Sequence, residues 1–245
     1  MSTFAVILPA AGRSSRFRDQ HYKKPFAPLD NKAVWLHSAE KFLGRDDVKQ
    51  LIVVISPDDR EAFNSKFAAN VMILGIEVVE GGAQRFDSVA AALAKVKPDV
   101  DFVAVHDAAR PCIANEWIDN VFSVAEKTGA AMLATPIAGT IKRVENGVVK
   151  ETVPRTNLWE AQTPQVFRRD LLVEAYGQRG DQPATDDAQL VERIGKPVTI
   201  VEGSPINMKI TTKDDLRLAA QALKALPKPK LLGPAHPFEN DDMWR

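Results

Sequence analysis

Cysteine is almost missing from this sequence: Cys112 stands alone among 245 residues. One thiol cannot close an internal disulfide and has no companions for a cysteine-rich metal site, which fits a reducing cytoplasm. Excess charge is missing as well. The 32 Lys and Arg are matched by 32 Asp and Glu, so no global field would hold the chain on nucleic acid or on an anionic membrane. Any basicity that binds phosphate has to be local. Long apolar runs are also absent. The longest strongly apolar uncharged stretch, Thr128 to Ile141, is 14 residues and contains Pro136, against the roughly 20 that a membrane-spanning helix needs. The first residues carry neither the basic start nor the cleavage site of a secretory leader. The expectation is a soluble cytoplasmic protein.

What the sequence does have is a regular rhythm. The apolar run Phe4 to Leu8 stops abruptly at Pro9-Ala10-Ala11-Gly12, the pattern of a buried parallel strand feeding a phosphate-binding loop. A nucleotide is expected over the stretch Pro9 to Phe26. Helical spacing follows in Lys32 to Leu43, then a buried strand Leu51 to Ile55, a helix Asp59 to Ala69 and a strand Ile76 to Glu80 broken by Gly81-Gly82. Val89, Ala92, Leu93 and Val96 fall at helical spacing after Gln84. A strand Phe102 to Val105, a helix Asn115 to Lys127 and a strand Ala130 to Ala134 complete the succession. This alternation predicts an α/β fold: a Rossmann-like, mostly parallel twisted sheet with helices on both faces.

The rhythm changes at Thr140 to Val153, where polar and β-branched residues alternate around Asn146-Gly147, a strong hairpin signal. A hairpin standing alone is marginal in water, so this one is expected to pack on a second copy of the chain. Strands are predicted at Gln165 to Phe167, Val198 to Glu202 and Ile206 to Ile210, with helices at Leu171 to Tyr176 and Asp187 to Ile194. A last helix opens with a capping box of Thr212 and Asp215 and buries Leu216, Ala219, Ala220, Leu223 and Leu226. The organisation expected is one domain over residues 1–226 with a β-arm at about 138–160, and an irregular tail over 227–245.

Four clusters fall at the C-terminal ends of predicted strands, where open α/β sheets bind ligands. In the first, Ala10, Ala11 and Gly12 are small enough for backbone amides to approach phosphates, with Arg13, Arg16, Arg18, Lys23 and Lys24 in reach. The Walker and GxGxxG patterns are both absent, and a solvated basic loop is the plain alternative. In the second, Gly81-Gly82 lets backbone approach a ligand such as the edge of a base, and Ser88 either contacts that base or caps the next helix. In the third, Asp107 is placed to hold a magnesium ion bridging phosphates or to cap a turn, while His106 reads as structural. The fourth comprises Thr140, Lys142, Arg155, Thr163 and Lys209. Lys and Arg on a hairpin are usually edge protection, yet a second anion site would need such residues.

Taken together, PAAGRSSRF with the following KKPF, then GGAQRFDSV, VHDAARPC, TPIAGTIKR, RTNLWEAQTPQVF and INMKIT, the chain resembles the 2-C-methyl-D-erythritol 4-phosphate cytidylyltransferases of the non-mevalonate isoprenoid pathway from about Phe4 to Leu226. The resemblance implies the reaction of CTP with methylerythritol phosphate to give CDP-methylerythritol and pyrophosphate, with Mg²⁺. It puts Arg16 and Lys24 at the positions that stabilise charge on the CTP phosphates. Arg155 and Lys209 match the residues that place the incoming methylerythritol phosphate, and these four are the catalytic set. Arg110, Thr140 and Thr163 match other contacts to that substrate. Ala10, Ala11, Gly12, Gly82, Ser88 and Ala108 match nucleotide contacts, and Asp107 lies beside the metal. In this family the hairpin arm reaches across a homodimer, so Thr140 and Arg155 would serve the partner's site. Three positions depart from the family pattern: Ala83 and Gly139 replace residues that are often acidic, and the loop between Arg16 and Lys24 carries one extra residue. A cytidylyltransferase for another polyol phosphate, such as ribitol 5-phosphate, shares most of these motifs; a catalytically silent nucleotide-binding partner protein is the reading from another class.

Overall fold

The computed structural model describes residues 1–12, 17, 22–180 and 182–227. Arg13, Arg16, Arg18 and the tail from Lys228 lie outside the described residues, and with them the catalytic role expected of Arg16 and the irregularity expected of the tail.

The first half of the chain runs β1 (Phe4–Pro9), β2 (Pro28–Leu29), β3 (Lys32–Ala33), α1 (Val34–Leu43), β4 (Val48–Ile55), α2 (Arg60–Ile73), β5 (Glu77–Glu80), α3 (Arg85–Leu93) and β6 (Phe102–Val105). The second half adds α4 (Asn115–Thr128), β7 (Ala130–Pro136), β8 (Ile141–Glu145), β9 (Val148–Val153), β10 (Trp159–Arg168), α5 (Arg169–Gly177), α6 (Asp187–Arg193), β11 (Thr199–Glu202) and α7 (Lys213–Lys224). The main sheet has the order β11-β7-β10-β6-β1-β4-β5. β1 pairs in parallel with β4 and β6, β4 with β5, and β7 with β11. β10 alone is antiparallel to both its neighbours.

The apolar run of β1 is continuous because the sheet is covered on both faces. Phe4, Val6 and Leu8 belong to one buried cluster with Trp35, Phe42 and Phe63, whereas Ala5 and Ile7 belong to another with Val89, Leu172 and Leu190. Successive side chains of a strand point to opposite faces. The same alternation splits Leu51, Val53 and Ile55 from Ile52 and Val54 in β4. A third, smaller cluster of Phe17, Leu29, Val34, Cys112, Ile210 and Ala219 seats α7 against the segment after β1. The capping box expected of α7 is present: Asp215 N–H donates to Thr212 Oγ1 at 3.2 Å, and Thr212 N–H to Asp215 Oδ2 at 2.8 Å.

β8 and β9 form a separate two-stranded sheet. Asn146 and Gly147 both have positive φ, 50° and 78°, the geometry that a two-residue turn between twisted strands requires. Nearly every residue of the hairpin is exposed, including Val144, Val148 and Val149.

Two expectations are corrected. The strand seen in sequence as Gln165 to Phe167 is the ten-residue β10, beginning at Trp159. A register shift between Ala161 and Gln165 breaks the period-2 pattern that would have shown its first half. The segment Ile206 to Ile210 is not a strand. Its backbone bonds are local or made to a loop: Asn207 N–H donates to Ser204 O at 2.9 Å and Ile210 N–H to Ala109 O at 2.8 Å. The Asn207 side chain anchors the turn by donating to Thr163 O at 2.9 Å. Among the described residues no helix is long and apolar enough to cross a membrane.

Candidate active site

The parallel strands keep exchanging hydrogen bonds up to their C-terminal lip, and this places three loops side by side. Ala10 N–H donates to Val54 O at 2.7 Å, Gly81 N–H to Ile55 O at 2.8 Å and His106 N–H to Ile7 O at 2.9 Å. Above this lip opens a cleft of about 320 Å³ whose wall includes Ala10, Ala11, Gly12, Lys24, Gly82 and Ser88. A Cβ on Gly81 would lie 2.4 Å from Ser88 Oγ and 3.0 Å from Ala11 Cβ, so this glycine lets β5 meet α3 and the first loop. Ser88 does not cap α3. The N-cap is Gln84, whose N–H donates to Asp87 Oδ2 at 3.1 Å, while Ser88 Oγ donates to Gln84 O.

A second cavity of about 200 Å³ lies alongside and is lined by Arg110, Thr163, Gln165 and Thr185 among others. Arg85, Asp107 and Lys209 line both cavities. Asp107 is the hub: its carboxylate lies 2.6 Å from Lys209 Nζ, 3.3 Å from Arg85 Nε and 3.8 Å from Arg110 Nε. Burial by itself would raise its pKa, but Lys209, then Arg85 and Arg110, hold the carboxyl well below the usual carboxylate range. Arg110 is buried, and burial lowers its own pKa. Its Nη1 donates to Asn207 O at 2.6 Å, which ties it to the segment that carries Lys209.

His106 supports this hub from behind. It is fully buried, and burial brings its pKa down to about 4, so the ring is neutral at pH 7. Nε2 lies 3.0 Å from Arg110 O, a group that can only accept, so Nε2 carries the hydrogen. Nδ1 then accepts from Thr163 Oγ1 at 3.2 Å, and Thr163 Oγ1 accepts from Asp107 N–H at 3.0 Å. The Thr163 proton is thereby committed to His106 Nδ1 and its oxygen to the Asp107 N–H, although Thr163 also borders the second cavity.

This geometry can be set beside known proteins. The family model for 2-C-methyl-D-erythritol 4-phosphate cytidylyltransferase matches residues 4–225. The chain belongs to this family. It is 43% identical over 233 residues to the 2-C-methyl-D-erythritol 4-phosphate cytidylyltransferase of Rhodopirellula baltica, covering 91% of this chain and 95% of that one. A bifunctional enzyme of Desulfotalea psychrophila is 37% identical over 94% of this chain, and the match spans 59% of that longer protein. The crystal structure of the Francisella tularensis 2-C-methyl-D-erythritol 4-phosphate cytidylyltransferase has 32% identity and a TM-score of 0.77, covering 91% of this chain and all of that one.

Of the residues that family resemblance singled out, Ala10, Ala11, Gly12, Lys24, Gly82, Ser88, Asp107, Arg110, Thr163 and Lys209 converge on the two cavities. Lys23 and Lys24 separate. Lys24 lines the cleft, while Lys23 Nζ pairs with Asp59 at 2.8 Å and borders an aromatic recess with Phe26, Phe63 and Phe67. Ala108 sits behind the wall with no exposure, its carbonyl accepting from Ser38 Oγ at 3.1 Å; Ala109 lines the cleft instead. Thr140 and Arg155 are exposed on either side of the hairpin and line neither cavity. Arg155 donates to Ala138 O.

Sequence reading passed over Arg85, Gln165, Thr185 and Asp186 as site residues. Arg85 stands in the quoted GGAQRF stretch, and its charge beside a double glycine was the available signal. Among the described residues no group of three or more His, Cys, Asp or Glu could hold a metal ion, and Asp107 is the one carboxylate lining the cleft.

Proposed function

We propose that the larger cleft takes CTP, the smaller cavity takes the phosphate of the acceptor, and the two meet at Arg85, Asp107 and Lys209. The reaction is that of the family: CTP and 2-C-methyl-D-erythritol 4-phosphate give CDP-methylerythritol and pyrophosphate, in the non-mevalonate route to isoprenoids. The observation that carries the allocation is the shared wall. One cavity has small residues and Lys24, the other has the buried Arg110, and three charged side chains line both.

In this reading a phosphate oxygen of the acceptor attacks the α-phosphorus of CTP. A new P–O bond forms as the bond to the β-phosphate oxygen breaks, and pyrophosphate departs. The attacking oxygen is already anionic at pH 7, so no side-chain base is needed. Catalysis rests on positioning and on charge stabilisation by Lys24 and the loop backbone, together with Arg16. Lys209 and Arg110 receive the acceptor phosphate.

The donor set fits a magnesium ion held jointly by protein and substrate. Mg²⁺ characteristically takes one or two carboxylates along with phosphate oxygens and water, and Asp107 supplies one carboxylate at the lip. The ion would neutralise charge on the triphosphate.

The hairpin serves a second copy of the chain in this reading. Val144, Val148, Val149, Leu158 and Trp159 are exposed apolar side chains on and beside it, a surface that a partner would cover, and Thr140 and Arg155 would then complete the partner's acceptor site. The lone buried thiol accords with the cytoplasm.

A pyrophosphate-release assay with CTP and Mg²⁺ tests the acceptor. Methylerythritol phosphate is expected to support turnover at least about tenfold above ribitol 5-phosphate in kcat/KM, a difference of one well-placed polar contact. Preference for ribitol 5-phosphate would overturn the acceptor assignment, and release with neither would leave only nucleotide binding.

A further inference from the structure

Arg85 lines both cavities, yet the reaction as written gives it nothing to do. Its guanidinium is strung between two carboxylates. Nε lies 3.3 Å from Asp107 Oδ1 and Nη1 lies 2.8 Å from Asp187 Oδ2. The Asp187 end is an anchor. Asp187 is fully buried, it accepts from the Tyr176 hydroxyl at 2.6 Å, and the N–H groups of Asp187 and Ala188 donate to Gln165 Oε1 at 3.0 and 2.9 Å. Gln165 in turn donates to Asp186 Oδ2 at 2.9 Å.

Lys209 approaches the same hub from the other side with a different tether. Its ammonium lies 2.6 Å from Asp107 Oδ2, and it rides on the irregular segment after β11. Among the described residues Asp107 is its one ion-pair partner. Three cations therefore share one carboxylate: Arg85 is held by a buried network, Arg110 by the Asn207 carbonyl, and Lys209, among the described residues, has no second carboxylate to hold it.

That asymmetry matters when an anion arrives. For Lys209 to receive a phosphate, its ammonium has to turn from Asp107, and a buried carboxylate left with weaker pairing is costly; of the two cations that remain, Arg85 at 3.3 Å is nearer than Arg110 at 3.8 Å. We propose that Arg85 is a positioning residue, anchored by Asp187 and Tyr176, that keeps Asp107 paired while the Lys209 ammonium passes from Asp107 to the acceptor phosphate. Without Arg85 the ammonium stays on Asp107, so the loss falls on acceptor binding and not on CTP. The inference rests on the acceptor role of Lys209 proposed above.

Steady-state kinetics with each substrate varied in turn tests it. Arg85→Gln is expected to raise the KM for methylerythritol phosphate about tenfold or more and to leave the KM for CTP within about twofold, since breaking a charged hydrogen-bonded contact in a buried site is worth at least one decade. Arg85→Lys, which restores a cation beside Asp107, is expected to recover most of the loss. Tyr176→Phe loosens the anchor while leaving the charges in place, and is expected to raise the acceptor KM by about two- to threefold, less than a whole hydrogen bond because it acts on Lys209 only through Asp187 and Arg85. An increase that falls equally on both substrates, or no recovery with Arg85→Lys, would show that Arg85 is merely structural and overturn the proposal. If Arg85→Gln does not fold, an unchanged acceptor KM in Tyr176→Phe overturns it alone. A Lys209→Ala variant with an unchanged acceptor KM would instead remove the reading of Lys209 on which the exchange depends.

Discussion

The cleft and the hairpin handle charge in opposite ways. At the cleft, Asp107 is almost buried and faces Lys209, Arg85 and Arg110 within 4 Å. On the hairpin, Arg143 pairs with Glu151 at 2.5 Å and Lys150 with Glu145 at 3.5 Å, but each of these side chains is more than half exposed. Exposed pairs contribute about 0–1 kcal/mol because water and salt screen them, whereas a buried pair broken on one side costs about 3–5 kcal/mol. The same residue types are therefore buried and strongly coupled in one place and screened at the surface in the other. The hairpin's apolar side chains show the converse, since Val148 and Val149 are exposed where comparable valines in β4 are buried on both faces. One region buries its charged groups against one another, and the other leaves its apolar side chains exposed.

The largest expected effect breaks the cleft alone. Lys24→Ala is expected to lower kcat by about 10²–10³, the usual cost of removing one charge-stabilising donor, while Lys23→Ala, whose partner is Asp59, stays within about threefold of the parent. Turnover assays on the two purified variants decide this, and equal losses would remove the distinction between the two lysines. The next test asks whether the hairpin belongs to the cleft of another copy. Mixing inactive Lys24→Ala and Arg155→Ala chains after dissociation is expected to restore about a quarter of parental activity, because half the dimers would be mixed and each would hold one intact site. No recovery would mean that Arg155 does not act across a dimer.

The smallest effect sharpens the contrast between buried and exposed groups. Burial pushes the Cys112 thiol up to about 12 from its ordinary value of 9.0. Between those values the unfolded chain has lost the proton and the folded chain retains it, so stability falls as pH rises above 9. Denaturant unfolding is expected to show the parent losing roughly 1.4 kcal/mol per pH unit relative to Cys112→Ala in that window. Parallel curves for the two proteins would mean that the thiol is open to water.

Much of the fold was legible because burial on two faces writes itself locally. Phe4 to Leu8, Leu51 to Ile55 and Phe102 to Val105 read as strands from composition alone, Asn146-Gly147 read as a hairpin turn, and Thr212 with Asp215 read as a cap. The small residues after β1 and the aspartate after β6, which line the cleft, were legible for the same reason: they follow directly where a strand stops. What stayed hidden depended on contacts between distant parts of the chain. The first half of β10 lacks a clean alternation because of its register shift, and Ile206 to Ile210 looks like a strand until its backbone partners are seen.

By itself, the sequence determined which strands are buried, where each loop leaves the sheet and which small residues stand at the lip, since periodicity and chain stiffness act over a few residues. Only the tertiary structure decided that Lys24 enters the cleft while Lys23 turns to Asp59, that Ala109 lines the wall in place of Ala108, and that Arg85 joins Asp107 to Asp187. Ion pairing acts through space and depends on burial, and neither which groups meet nor how much water remains between them can be read along the chain.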